Sequence, residues 1–123
     1  MRVKDIADII KGLSDETRLL ILYLLWKRPL CVCEVMGALD ITQTKASRHL
    51  IYMKNAGILE AERDDKWMVY KIREDIPEGM RKAIESICSL IGDTEEAREL
   101  DVRLEKILPD SSYRAVHGRE INN

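Results

Sequence analysis

Cationic, amide and hydroxyl side chains crowd one short segment of the chain that begins at Thr42. Such groups can bond base edges in the DNA major groove, and they can also bind phosphate. The candidates for these contacts are Gln43, Thr44, Lys45, Ser47, Arg48 and His49. An arginine or lysine suits guanine O6/N7, and a glutamine suits adenine N6/N7. For His49 two roles stay open, a phosphate contact or a buttress that supports the helix from inside.

The elements that would position these groups are a helix and a hairpin. Thr42 is a suitable N-cap, apolar residues recur after it at helical spacing, and Gly57 favours a helix end. Two alternating segments, 58–63 and 67–72, then flank a short polar turn, which is typical of a β-hairpin. Arg63, Lys66 and Lys71 are its candidate phosphate contacts, Arg63 and Lys66 before Lys71; the alternative, which Asp64 and Asp65 favour, is a hairpin whose charges are merely solvated. A polar helix followed by a basic hairpin predicts a winged helix-turn-helix.

Cys31 and Cys33 form a second group that could do chemistry. Residues i and i+2 on a regular helix point to nearly opposite sides. Pro29 keeps the approach to the third helix non-helical, so Cys31 could lie outside the first turn and swing toward Cys33. A helix N-terminus beside Lys27 and Arg28 favours the thiolate, and thiolates prefer soft, thiophilic ions. Three interpretations stay open: inert buried thiols, a metal site or a redox switch.

The third cysteine, Cys88, lies in an apolar stripe of helical spacing. A single cysteine on such a face is usually a small core residue. We expect a core thiol there, with a ligand role as the alternative.

Length and charge limit the class of protein to which the chain can belong. The chain has 123 residues and a formal net charge of −2, which suits one domain with a real core. The charge is uneven, because residues 42–73 carry seven Lys/Arg and four Asp/Glu, whereas residues 74–110 carry five and eleven. A locally basic region can bind phosphate although the whole chain is acidic. The longest apolar run, 19–26, is too short to span a bilayer, so we expect a cytoplasmic protein with no membrane partner.

Apolar residues at helical spacing predict further helices on both sides of this region. The predicted order is α-α-α-α-β-β-α-α, mainly α with a small β-hairpin, and Ser14 is the predicted N-cap of the second helix. Residues 1–108 form one domain in this prediction, and residues 109–123 form a flexible tail because they lack periodicity. The first helix and the helix after the hairpin each carry an apolar face. We expect these faces to pair two copies of the chain, the alternative being that they pack on their own domain. The residues predicted for this dimer interface are Ile6, Ile10, Ile84, Ile87 and Ile91.

Five short motifs make the chain similar to a known family. They are Leu13-Ser14-Asp15-Glu16-Thr17-Arg18, Cys31-Val32-Cys33-Glu34-Val35, Thr44-Lys45-Ala46-Ser47-Arg48-His49-Leu50, Ala56-Gly57-Ile58-Leu59 and Lys66-Trp67-Met68-Val69-Tyr70. In this order and spacing, over residues 3–91, they resemble the ArsR/SmtB family of bacterial and archaeal transcriptional repressors. The resemblance implies a homodimeric winged-helix repressor that binds an inverted repeat of double-stranded operator DNA. It also implies release of that DNA when a toxic metal or metalloid ion binds.

The resemblance further implies where the effector binds. Cys31 and Cys33 lie where the family's arsenic sensors carry thiolate ligands, and Met36 stands in place of the third cysteine of those sensors. The leading hypothesis is therefore a two-cysteine site for As(III) or Sb(III), completed by solvent or a small thiol. The family's zinc sensors use Asp/His and His/Glu pairs in the helix after the wing, but residues 77–91 contain neither Asp nor His. Its cadmium and lead sensors add N-terminal cysteines, and none precedes Cys31.

These features predict a repressor rather than an enzyme, with no obligatory cofactor. The chain has no Cys-x-x-Cys pair and no recognisable Cys-His signature for a thiol enzyme. Because the third helix directly precedes the fourth, distortion at the thiols could shift the DNA-binding helix. One alternative keeps the repressor fold but switches it by thiol oxidation or by another non-metal ligand. Another is a winged-helix protein-interaction module that makes no DNA contact.

Overall fold

The structure is a computed structural model that describes residues 1–107. Helices dominate this part of the chain, with three short strands between them. In chain order the elements are α1 (Val3–Leu13), α2 (Glu16–Lys27), β1 (Leu30–Cys31), α3 (Val32–Leu39), α4 (Gln43–Asn55), β2 (Leu59–Asp64), β3 (Trp67–Ile72), α5 (Glu78–Gly92) and α6 (Glu95–Ile107). The predicted order of helices and hairpin is confirmed, and one strand, β1, was not predicted.

Strand β1 adds a third member to the predicted hairpin. The sheet order is β1-β3-β2, and both pairings are antiparallel. Leu30 pairs with Tyr70, and Cys31 pairs with Val69. A two-residue strand is too short to show the alternation by which strands are predicted. Its pairing with β3 therefore depends on tertiary structure alone.

Helix α2 is capped one residue later than predicted. Asp15, not Ser14, is the N-cap, because its backbone is extended and its Oδ2 accepts the Arg18 N–H at 3.0 Å. Aspartate satisfies this amide as well as serine would, and its negative charge also favours a helix N-terminus. The prediction of Ser14 was wrong.

Helix α2 forms the centre of the main core. Five successive residues, from Ile21 to Leu25, are buried, which is the pattern of a helix surrounded on several sides. Helices α1, α4 and α5 and strand β3 all pack against α2. This shared contact fixes the position of α4 relative to the hairpin.

Helix α6 ties the C-terminal ends of α2 and α3 together. The Tyr23 hydroxyl donates to the Asp101 carboxylate at 2.9 Å, and the Lys27 ammonium pairs with the same carboxylate. The Arg103 guanidinium donates to the Ala38 carbonyl at 3.2 Å, close to the end of α3. The next residue but one, Asp40, takes the left-handed φ of 55° that ends α3. Helix α6 thus supports the turn that sets the direction of α4.

The predicted tail, residues 109–123, lies outside the described residues. Within residues 1–107, every helix is too short or too polar to cross a bilayer.

Candidate nucleic-acid interface and thiol pair

Helix α4 presents its polar residues to solvent because its apolar face is buried. The Thr42 hydroxyl accepts the Lys45 N–H at 3.2 Å, which confirms Thr42 as the N-cap. Ala46, Leu50 and Met53 are fully buried and fix the rotation of the helix. The exposed side chains of the first turns are Gln43, Thr44, Lys45 and Arg48, and Ser47 is half-buried. This row lies on an element of the width that a DNA major groove admits.

His49 lies against the N-terminus of α2. Its Nδ1 is 3.5 Å from Arg18 Nη1 and 4.0 Å from Asp15 Oδ2. Because a guanidinium can only donate, Nδ1 accepts and the neutral ring carries its proton on Nε2. Burial lowers the pKa of His49, and Asp15 opposes this effect while Arg18 and the other nearby cations add to it. Of its two predicted roles, the geometry supports the buttress.

Arg18, on α2, contacts both α1 and α4. Its Nε donates to the Gly12 carbonyl at 2.7 Å and its Nη2 to the Lys11 carbonyl at 3.3 Å, both near the end of α1. Its guanidinium carbon also lies 4.3 Å from the centroid of the Tyr52 ring on α4, within the range of a cation–π contact. Sequence reasoning gave Arg18 no role of its own. Its position at the end of the 13–18 motif is the sequence feature that could have indicated a role for Arg18.

The hairpin places two predicted cations in solvent. Arg63 on β2 and Lys66 in the turn are exposed. Asp65 takes a left-handed φ of 59° between the strands, a conformation that tight turns require and that aspartate tolerates. We call β2, β3 and this turn the wing.

Lys71 on β3 is held by carboxylates. Its Nζ lies 3.1 Å from Glu74, 3.3 Å from Glu62 and 3.4 Å from Glu60. Hydrogen bonds to Glu74 and Glu62 raise the pKa of Lys71. Its charge is therefore compensated within the chain.

Cys31 lies outside the first turn of α3, as the position of Pro29 predicts. It is the N-cap, with an extended backbone (φ −82°, ψ 166°), and its N–H donates to Glu34 Oε1 at 2.9 Å. This bond from the N-cap N–H to the Glu34 side chain is part of a capping box at the helix N-terminus. Glu34 is itself buried. Cys33 lies within the first turn of α3. The two thiol residues thus have different backbone conformations, which a regular helix would not give them.

The two thiols belong to a small buried cluster that is separate from the main core. Its members are Cys31, Cys33, Trp67 and Val69, and we call it the thiol cluster. Cys31 is 1% exposed and Cys33 is 2% exposed. Trp67 and Val69 share one face of β3 because residues i and i+2 of a strand do so. Sequence reasoning missed this contact, because it depends on the pairing of β1 with β3.

The thiol pair is short of ligands for a closed metal site. Among the described residues, no group of three or more His, Cys, Asp or Glu side chains is arranged to hold a metal ion. Solvent or a small thiol could supply the third ligand of an ion on Cys31 and Cys33. Cys88 is buried in the main core instead, and burial raises the pKa of its thiol to about 11. That environment suits a neutral core residue.

The predicted dimer residues differ in exposure and form three groups. On α1, Ile6 and Ile10 are exposed, because Ile9 and Leu13 supply the face that meets the core. On α5, Ile87 and Ile91 are half-buried. Ile84, by contrast, is fully buried in the chain's own core. Its side chain has no surface to offer a second copy, so the prediction for Ile84 is corrected to a core role.

The sequence is similar to that of a known group of regulators. Residues 15–61, from α2 into β2, match the family described as "Bacterial regulatory protein, arsR family". The arsenical resistance operon repressor of Escherichia coli is 41% identical over 78 residues, which cover 63% of this chain and 67% of the repressor. The arsenic resistance transcriptional regulator ArsR1 of Pseudomonas putida is 38% identical over 71 residues, and the match spans 56% of that regulator's length and 57% of this chain.

The fold is similar to that of solved structures. One is the homodimeric winged helix-turn-helix DNA-binding domain of a possible ArsR-family transcriptional regulator from Mycobacterium bovis. It superposes with a TM-score of 0.62 at 26% identity, over 74% of this chain and 81% of that domain.

Proposed function

The chain belongs to the arsR family of bacterial regulatory proteins, and from this we propose that it is a homodimeric transcriptional repressor that releases its operator when As(III) or Sb(III) binds Cys31 and Cys33. Such a repressor works in the cytoplasm, on double-stranded DNA with an inverted repeat.

The observation that carries this proposal is the exposed polar row of α4 beside the exposed cations of the wing. Arg48, Lys45 and Gln43 have the donors and acceptors that base edges require. Arg63 and Lys66 lie at the outer end of the wing, where phosphate contacts position a protein without reading sequence. One or two base contacts of about 1–3 kcal/mol each, added to phosphate contacts, suffice for a specific site.

Pairing of two copies is supported by apolar side chains that the chain leaves in solvent. Ile10 on α1 is 59% exposed and Leu90 on α5 is 72% exposed. Both helices pack against α2 through their opposite faces. A dimer formed through α1 and α5 would cover these residues and would place two α4 helices on successive half-sites. Ile6, Ile87 and Ile91 would contribute to the same interface, and Ile84 would not.

Trivalent arsenic suits the thiol pair chemically. Each thiol replaces one hydroxide of As(OH)₃, an As–S bond forms, and the thiol proton leaves with the hydroxide as water. Arsenic stays trivalent, and its third position keeps a hydroxide or takes a small thiol. Soft thiolates prefer such ions to hard ones. The binding need change DNA affinity by only about 5–150-fold, which is the usual range of coupling between two sites.

The test is a titration of the protein against DNA from upstream of its own gene, repeated at two salt concentrations. Arsenite, antimonite, zinc, cadmium and peroxide are then added separately. The proposal expects sequence-preferential binding that weakens steeply with salt, and release by arsenite and antimonite at lower concentration than by zinc. Release by peroxide alone would favour thiol oxidation as the switch, and the lack of any sequence preference would overturn the repressor.

A further inference from the structure

We propose that Trp67 couples the thiol pair to the wing, so that an ion bound by Cys31 and Cys33 weakens DNA binding by displacing the wing. This inference rests on the proposed function, because it concerns how that thiol site acts on DNA. Trp67 is then a positioning residue, since it need touch neither the ion nor the DNA.

The first support is the packing of the thiol cluster. Trp67 is the largest member of the cluster and is only 8% exposed, although it directly follows the hairpin turn. Cys31 and Cys33 are almost completely covered. An ion that reaches both sulfurs must therefore enter this cluster, and a well-packed cluster accepts added volume only if a member moves. Trp67 lies at the turn end of β3, beyond the two residues that pair with β1, so it is the member that we expect to move.

The second support is the backbone ladder between β1 and β3. Cys31 lies opposite Val69, and Leu30 lies opposite Tyr70. A change in the backbone at Cys31 on ion binding would thus act directly on β3. The same strand pairs along its whole length with β2, from Leu59–Ile72 to Asp64–Trp67. The hairpin would move as one unit.

The third support is the position of Lys66. Its Nζ lies 5.3 Å from the centroid of the Trp67 ring, within the range of a cation–π contact. The indole therefore has the thiols on its buried side and a candidate phosphate contact on its exposed side. Displacement of the ring would move this ammonium away from the DNA backbone.

This route differs in its consequences from one through α4. Displacement of the wing would reduce the salt dependence of operator binding, by about one unit of slope for each phosphate that the wing no longer meets. Discrimination between the operator and a mismatched site would persist, because α4 keeps its base contacts. A shift of α4 would instead abolish that discrimination.

The experiment compares Trp67→Leu with the matched control Trp26→Leu, which changes a tryptophan packed on the main core instead. Arsenite binding is measured by equilibrium dialysis, and operator affinity by fluorescence anisotropy with and without saturating arsenite. We expect both variants to bind arsenite like the parent. The ratio of the two DNA affinities should approach one in Trp67→Leu and keep its parent value in Trp26→Leu.

A second measurement covers the case in which Trp67→Leu does not fold. The chain has two tryptophans, so Trp26→Phe leaves Trp67 as the reporter, and arsenite should change its fluorescence. The same addition should have no effect once Cys31→Ser and Cys33→Ser are combined with Trp26→Phe. An unchanged Trp67 emission, or an unchanged affinity ratio in Trp67→Leu that still binds arsenite, would overturn the inference and leave the proposed function standing. A parent protein that binds no arsenite would overturn both.

Discussion

Cys31 lies directly opposite Val69 in the antiparallel ladder that joins β1 to β3. The residue that caps the third helix is thus also part of the sheet that carries the wing. The proposed effector site is thus connected to both elements that would bind DNA. The strand pairing connects it to the hairpin, and α3 connects it to α4, the next helix in the chain. The DNA contacts, the support behind α4, the packing of α1 and the dimer can each be tested separately from the effector.

Truncation of Arg48 and truncation of Arg63 should change DNA binding in different ways. Arg48→Ala removes a candidate base contact on α4, so operator affinity should fall by about 1–3 kcal/mol and discrimination at one base pair should relax. Arg63→Ala removes a candidate phosphate contact on the wing, so binding should weaken alike for all sequences and the salt slope should fall by about one. Anisotropy titrations on operator and mismatched duplexes at several salt concentrations measure both effects.

Lys71→Ala is the matched control for the wing, because three glutamates already compensate the charge of Lys71. Its salt slope should equal that of the parent. A drop in slope as large as that of Arg63→Ala would show that Lys71, rather than the outer end of the wing, meets the phosphates.

Stability should fall as His49 gains a proton. Burial lowers the pKa of His49 in the folded chain below the ordinary value of 6.5. The unfolded chain therefore takes up the proton first, so stability is fully present above pH 6.5 and is lost as pH falls from there toward the folded-state pKa. Urea unfolding midpoints from pH 7.5 downwards measure this loss, which should level off once both states are protonated.

The control for this pH dependence is His49→Gln, which keeps an acceptor for Arg18 but does not titrate. Its midpoint should be flat over the same window. The nearby Asp15 has a lowered pKa despite its desolvation, because the Arg18 N–H and the adjacent cations favour its charged form. Its contribution is lost only below its ordinary value of 3.8. A parent-like slope in His49→Gln would show that another group titrates.

Gly12→Ala should destabilise the fold, although alanine is the better helix former. An added Cβ would lie 2.7 Å from Ile58 Cδ1 and 2.8 Å from Ala56 Cβ, so α1 would be pushed from the end of α4. Overpacking of this kind costs about 1–3 kcal/mol. Gly79→Ala on α5 meets no atom within 4 Å and should be neutral or stabilising by up to about 1 kcal/mol. Equal effects of the two changes on the free energy of unfolding would contradict this packing.

Ile10→Lys should separate the proposed dimer. A charge on this exposed face of α1 would be buried by the partner copy, which is costly without a compensating group. Sedimentation velocity should report a monomer, and operator affinity should fall by roughly 10²-fold or more because two α4 helices no longer bind as one unit. Val102→Lys changes an apolar residue of similar exposure on α6, 53% against 59%. It should leave the dimer intact, and dissociation by both variants alike would argue against the α1 face.

Local patterns predicted the elements well, and tertiary contacts account for what they missed. Spacing within a few residues was enough to predict three features: the N-cap Thr42, the buried face of α4 and the hairpin. Ile84 and Ile87 lie on one stripe, and only the packing of α5 on α2 decides which is buried. The thiol cluster depends on a strand pairing between Cys31 and Val69, residues far apart in the chain. No local pattern could predict it.

The effector claim is tested most directly by arsenite-dependent release of operator DNA from the parent and from the Cys31→Ser/Cys33→Ser protein, with Cys88→Ser as the matched single-thiol control. Saturating arsenite should weaken operator binding by the parent and by Cys88→Ser about 5–150-fold. The double variant should bind DNA as the parent does without arsenite and should not respond to it. Equal release from the parent and the double variant would contradict the account.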